Sequence, residues 1–250
     1  MENVNLEDIK VIALGAGKII MEIYKKDFNI EYKDDKSPLT EADLKANEFI
    51  CNNLKKLYPN IPIMSEENKQ TIYEERKNWK SYFCVDPIDG TKEFIKKNDE
   101  FTVNIALIKN REPVLGVVYA PALDDIYFAS QERGAYKNNH KLPLYVNSNQ
   151  KEKLSVVASK SHLSNETQQF IDNLETKEIE QVSKGSSLKL CMVAEGIADL
   201  YPRLAPTMEW DTAAADAVVR CAGKMTYQFE NDEFLLYNKK DLLNPWFVVK

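Results

Sequence analysis

The stretch Asp86-Pro87-Ile88-Asp89-Gly90-Thr91 places two carboxylates, three residues apart, around a proline. An apolar run, Tyr82-Phe83-Cys84-Val85, leads into it. Proline fixes its own φ and pushes Asp86 towards an extended conformation. Gly90 permits a bend that a β-carbon would obstruct. The run therefore reads as a strand that ends in a sharp turn, with both aspartates at its carboxyl end. Carboxylates converging on one point repel unless a cation lies between them. Oxygen donors suit magnesium, or manganese as the other candidate, rather than zinc. Thr91 adds a hydroxyl beside that cation. The competing reading is an Asx-rich turn with no ligand, since Asp-Pro and Asp-Gly pairs mark turns widely.

Three further acidic positions stand at the ends of elements. Thr40-Glu41-Ala42-Asp43 opens a helix, with Thr40 as N-cap and Asp43 in the first turn, where an acid also serves as a dipole partner. Ile61-Pro62-Ile63-Met64 reads as a short strand running into Ser65-Glu66-Glu67-Asn68, otherwise a solvated loop. Trp210-Asp211-Thr212-Ala213-Ala214-Ala215-Asp216 begins an alanine-rich helix in which Asp211 is a site residue or a cap. Side chains at strand ends and helix starts are held by rigid elements and can face one crevice. Asp216 is given no role and reads as part of a solvated helix face.

The elements that must position these groups follow from periodicity. Leu6, Ile9, Ala13, Ala16, Ile20, Ile23 and Tyr24 fall at helical spacing, predicting a helix from Leu6 to about Lys26. Leu44, Phe49, Ile50, Leu54 and Leu57 continue the helix opened at Thr40. Phe101–Ile108, Val114–Tyr119 and Ile126–Ala129 alternate as an antiparallel meander. Beyond a polar region around 135–150 the chain alternates strand and helix. Strands are expected at Leu154–Ala158, Ile179–Val182 and Ala198–Tyr201. Helices are expected from Ser164 to about Leu174, from Ser186 or Ser187 through Ala194, and from Trp210 to about Cys221. Met225–Phe229, Phe234–Tyr237 and Trp246–Val249 are expected terminal strands. Such alternation predicts a layered α/β fold. The expected division is 1–135, an α+β metal-binding subdomain, and 136–250, an α/β subdomain that completes the metal site and binds substrate.

The chain has 250 residues, enough for a substantial core, and a formal net charge of -6. That charge argues against binding a nucleic acid polymer or an anionic membrane nonspecifically, and no apolar run is long enough to span a bilayer. Peripheral membrane association and oligomeric state stay open. Four dispersed cysteines, Cys51, Cys84, Cys191 and Cys221, read as reduced thiols of a cytoplasmic protein. Met1-Glu2-Asn3-Val4-Asn5 lacks the basic and apolar regions of a signal peptide.

Taken together, Glu66-Glu67, Asp86-Pro87-Ile88-Asp89-Gly90-Thr91 and Trp210-Asp211-Thr212-Ala213-Ala214 resemble the magnesium-dependent, lithium-sensitive phosphatases of the inositol monophosphatase superfamily. The resemblance runs from Ser37-Pro38-Leu39-Thr40-Glu41-Ala42-Asp43 onwards. Within that group, Gly90-Thr91-Lys92-Glu93-Phe94, Gly185-Ser186-Ser187-Leu188-Lys189 and Leu200-Tyr201-Pro202-Arg203 look most like the CysQ-type 3'(2'),5'-bisphosphate nucleotidase branch. The inositol phosphatases carry an acid seven residues before the Trp-Asp aspartate, and here that position is Leu204.

The resemblance implies an α/β/α/β/α sandwich of two subdomains with two or three magnesium ions at their interface. It implies Glu66, Asp86, Asp89 and Asp211 as side-chain metal ligands and Ile88 as a carbonyl ligand. It makes Thr91, with Asp43 or Glu66 behind it, the group that orients and deprotonates the attacking water. It places substrate against Glu66, Ile88, Asp89, Gly90, Thr91, Ser159, His162, Ser186, Lys189 and Asp211. The expected reaction is hydrolysis of the 3'-phosphate of adenosine 3',5'-bisphosphate to AMP by metal-activated water. The alternatives are an inositol monophosphate or fructose 1,6-bisphosphate phosphatase and, more remotely, a non-catalytic phosphate-ligand-binding protein.

Overall fold

The computed structural model of the chain describes residues 3–26, 28, 30–32, 38–145, 153–159, 163–176 and 178–250. His162, Ser37 and the Lys160-Ser161 pair lie outside them. In chain order the elements begin with α1 (Leu6–Tyr24), β1 (Ile30–Tyr32), β2 (Pro38–Thr40), α2 (Glu41–Leu57), β3 (Ile63–Ser65), α3 (Tyr73–Arg76), β4 (Ser81–Asp89) and α4 (Thr91–Ile95). There follow β5 (Thr102–Lys109), β6 (Glu112–Ala120), β7 (Asp125–Ser130), β8 (Gly134–Lys137) and β9 (His140–Lys141). The rest is β10 (Lys153–Ser159), α5 (Asn165–Asp172), β11 (Glu178–Lys184), α6 (Leu188–Glu195), β12 (Tyr201–Arg203), α7 (Glu209–Cys221), β13 (Thr226–Gln228) and β14 (Phe247–Val249).

Seven strands, β3 to β9, pair in sequence order into one sheet in which only β3 and β4 are parallel. The apolar run of β4 is buried on both faces because helices cover both. On one face α1 and α2 pack against each other and against β4–β7, closing a core that includes Ile9, Ile20, Ile50, Phe83, Val85 and Ile105. On the other face α7 lies directly on β4–β7, with α6 beside it. Alanines 213, 214, 215 and 217 make that close approach feasible, and Gly116 completes it: a β-carbon there would lie 2.2 Å from the Ala214 carbonyl oxygen. Beyond α6 comes a second β layer, the parallel β10–β11 pair and the three-stranded β12-β14-β13 sheet, with α5 outside it. The result is the α/β/α/β/α layering expected.

Two expectations change. Phe234–Tyr237 forms no strand beyond an isolated bridge from Phe234 to Tyr227; it is an irregular stretch anchored by the buried Leu235 and Tyr237. Asp216 is not on a solvated face. It is fully buried, paired with Arg220 at 3.0 Å, and accepts a hydrogen bond from the Tyr237 hydroxyl at 3.0 Å. The large sheet runs on to Lys141. Among the described residues no helix is long and apolar enough to cross a membrane, and all four cysteines are unpaired.

Candidate active site

β4 does not stop before its aspartates, as a strand ending at Val85 would; it carries both. Asp86 pairs with Asn104 and Asp89 with Thr102, so three steps along β4 match two along β5. In a regular strand residues three apart face opposite sides of the sheet. The extra residue is a bulge, and it returns Asp89 to the same face as Asp86. Gly90 follows in the left-handed region at φ 92°, turning the chain into α4. Thr91 thus stands at the start of a short helix with its hydroxyl 3.2 Å from both the Ile88 carbonyl and Asp43 Oδ1.

Asp43 arrives from α2. Thr40 caps that helix, and its backbone N–H and hydroxyl donate to Asp43 Oδ2 at 2.8 and 2.6 Å. This reciprocal cap leaves Oδ1 to face Thr91. Glu66 arrives on the neighbouring parallel strand: it follows β3 directly, and its N–H donates to the Val85 carbonyl at 3.1 Å. Asp211 lies in the first turn of α7, where its Oδ2 accepts the Met208 N–H at 2.9 Å. One open cleft of about 290 Å3 is lined by Glu66, Asp86, Ile88, Asp89, Gly90, Thr91, Ser159, Ser186, Lys189 and Asp211. The structure therefore brings together every expected site residue except His162, outside the described residues, and Asp43, which stands behind Thr91.

The carboxylates perturb one another. Burial pushes Asp86 well above the ordinary carboxylate range, and the charges of Glu66, Asp89 and Asp211 push it further. Burial raises Asp89 to about 6 despite the opposing charge of Lys189. Burial, then the neighbouring Asp89, raises Asp211 to about 8. Asp43 is raised chiefly by burial. Lys189 is lowered to about 8 by burial, against the pull of Asp89.

Such a set of hard oxygen donors fits a hard divalent cation, which relieves the repulsion. One oxygen each of Asp86, Asp89 and Asp211 is fixed by a backbone N–H, from Ile88, Ser187 and Met208. Among the described residues no three acidic, histidine or cysteine side chains close around one point.

Several neighbours were not singled out from sequence as site residues. Ser187, buried, donates its N–H to Asp89 and bonds through its hydroxyl to Thr102 and Asn104. Asn104 was detectable as an amide inside an apolar strand. Ser187 gave no local signal for its partner, which lies ninety-eight residues earlier. Arg203, Thr207 and Tyr201 also line the cleft.

With this fold and this acidic cleft, the class of protein is defined, and the chain belongs to the inositol monophosphatase family, whose model matches residues 1–246. It is 43% identical over 246 residues to a 3'(2'),5'-bisphosphate nucleotidase CysQ of Salmonella typhimurium, covering 98% of each chain. It is 41% identical to the protein of that name in Escherichia coli K12, with the same coverage. Among solved structures, CysQ from Bacteroides thetaiotaomicron superposes with a TM-score of 0.88 at 44% identity, covering 98% of this chain and 96% of the other. An inositol monophosphatase from Thermotoga maritima gives 0.78 at 27% identity, covering 97% and 89%.

Proposed function

We infer that this chain is a magnesium-dependent phosphomonoesterase that hydrolyses the 3'-phosphate of adenosine 3',5'-bisphosphate to AMP. Proteins of the family are typically metal-dependent phosphatases. The observation that carries the reading is the gathering of Glu66, Asp86, Asp89, Thr91 and Asp211 in one cleft, with Asp43 behind Thr91, on a chain similar throughout to 3'(2'),5'-bisphosphate nucleotidases.

We assign Glu66, Asp86, Asp89, Asp211 and the Ile88 carbonyl to holding two or three magnesium ions. When bound, magnesium supplies the positive field that offsets a phosphate dianion and makes water more acidic. The chain supplies the rest. The Thr91 hydroxyl donates its proton towards Asp43, so its oxygen lone pairs are turned to accept one from water. Burial makes Asp43 a stronger base than an ordinary carboxylate, suited to taking the relayed proton on Oδ1. Ser159, Ser186 and Lys189, with His162, are assigned to the nucleoside and second phosphate. Lys189 Nζ lies in the cleft wall, tied to the Ser186 carbonyl.

Leu204, buried at the position where an inositol phosphatase carries its acid, offers no carboxylate to an inositol hydroxyl. Phosphate release should be measured with magnesium across adenosine 3',5'-bisphosphate, inositol monophosphate and fructose 1,6-bisphosphate. The bisphosphate nucleotide is expected to have the highest kcat/KM, and Asp211→Asn to abolish turnover with the fold retained. Preference for inositol phosphate would reverse the substrate assignment; no release from any of the three would reverse the enzymatic one.

A further inference from the structure

We propose that Asn47 is a positioning residue that fixes Glu66 relative to the Thr91–Asp43 pair. The proposal rests on reading Glu66 as a metal ligand. Asn47 lies one helical turn after Asp43 on α2, and Cys51 one turn further, so the three share one face. Asn47 does not touch the cleft; it is buried behind the turn that bears Glu66 and Glu67.

Its amide holds both ends of that turn. Oδ1 accepts the Ser65 hydroxyl at 2.7 Å, one residue before Glu66, and Nδ2 donates to Asn68 Oδ1 at 2.9 Å, two residues after it. The Cys51 thiol donates to the same Oδ1 at 3.4 Å, and Asn68 Nδ2 reaches the Cys51 sulfur at 3.6 Å. Gln70 closes the turn from the far side, donating to the Ser65 and Asn68 carbonyls. A hydrophobic side chain at 47 would fill the space but leave Ser65 and Asn68 without these partners. The face of α2 that presents Asp43 to Thr91 therefore also sets where Glu66 stands, and the geometry makes one helix the ruler between the two.

Groups that orient metal ligands typically contribute about 10–100-fold to metal affinity. The test uses magnesium alone, read as the concentration giving half the thermal stabilisation of the chelator-treated protein. Asn47→Ala should raise that concentration by about 10-fold or more, and Ser65→Ala should raise it less. Glu66→Gln should raise it too, and Asn47→Ala added to Glu66→Gln should then change it little, because the two act through one ligand. A role confined to folding would lower the melting temperature of Asn47→Ala in both backgrounds and leave the magnesium midpoint where it was; that result overturns the proposal. If Asn47→Ala does not fold, Ser65→Ala in the two backgrounds decides by the same criterion. An unchanged midpoint in Glu66→Gln itself would instead overturn the reading of Glu66, and the proposal with it.

Discussion

In the proposed mechanism Thr91 and Asp43 divide the labour of one proton. The hydroxyl is within 3.2 Å of two acceptors, and the acid behind it is held by two bonds from Thr40. Thr91→Val keeps the shape but removes the relay, so kcat should fall by about 10²–10⁴-fold with KM little changed. A rise in KM with kcat preserved would make Thr91 a binding group instead. Lys189 poses a different question, because its amine is buried and feels Asp89. Loss of a charge-assisted hydrogen bond to the distal phosphate should lower kcat/KM of Lys189→Met for the bisphosphate by roughly 10–100-fold. Inositol phosphate, lacking that group, should be affected much less. Equal losses on both substrates would mean that Lys189 works through the field at Asp89.

The elements bearing these residues differ in how openly the sequence declares them. Thr40 and Asp43 sit three apart before an apolar helical stripe, and the cap is present as read. The same holds for β4 and for the start of α7, whose signals are local. The bulge between Asp86 and Asp89 was not legible, because it depends on the register of β5. Nor was the hold of Ser187 on Asp89, which joins distant segments. Asp216 misled for the same reason: Tyr237, which with Arg220 makes its burial tolerable, lies twenty-one residues on. An acid beside arginine on a helix reads as solvated until a third partner covers it. The contact between α7 and β6 yields a sharp prediction. In Gly116→Ala the new methyl would meet the Ala214 carbonyl and the Ala217 side chain. Overpacking of this kind costs about 1–3 kcal/mol, equivalent to a melting temperature lower by roughly 2–12 °C in a protein this size. An unchanged melting temperature would show that α7 is less tightly seated than described.

At the scale of the whole molecule, the carboxylates link stability to pH and to metal. Asp86, Asp89 and Asp211 all bind protons more tightly folded than their ordinary values. Their contribution is therefore fully present below the ordinary carboxylate pKa of about 4. It is lost as pH rises through about 6 for Asp89 and about 8 for Asp211. After chelation the protein should melt at a higher temperature at pH 6 than at pH 8.5. Magnesium should restore more stability at pH 8.5, where it no longer competes with protons. Melting curves that coincide at the two pH values, with equal magnesium shifts, would remove this linkage. Both halves of the chain take part: Ser187 holds Asp89, and Lys184 pairs with Glu100 at 3.4 Å.

The seating of α7 on that sheet has a further consequence, for the order in which the ribosome delivers the parts. All seven strands have left it by Lys141, but α7, the main cover of one face, begins only at Glu209. At about 5–20 residues per second, that face waits several seconds, its apolar side chains exposed. A nascent chain halted before Glu209 would hold a finished sheet without its second layer, a target for chaperones rather than an independent domain. The helix that brings the last carboxylate to the cleft is also the piece that ends this exposure, so completion of the site and protection of the sheet occur in one event.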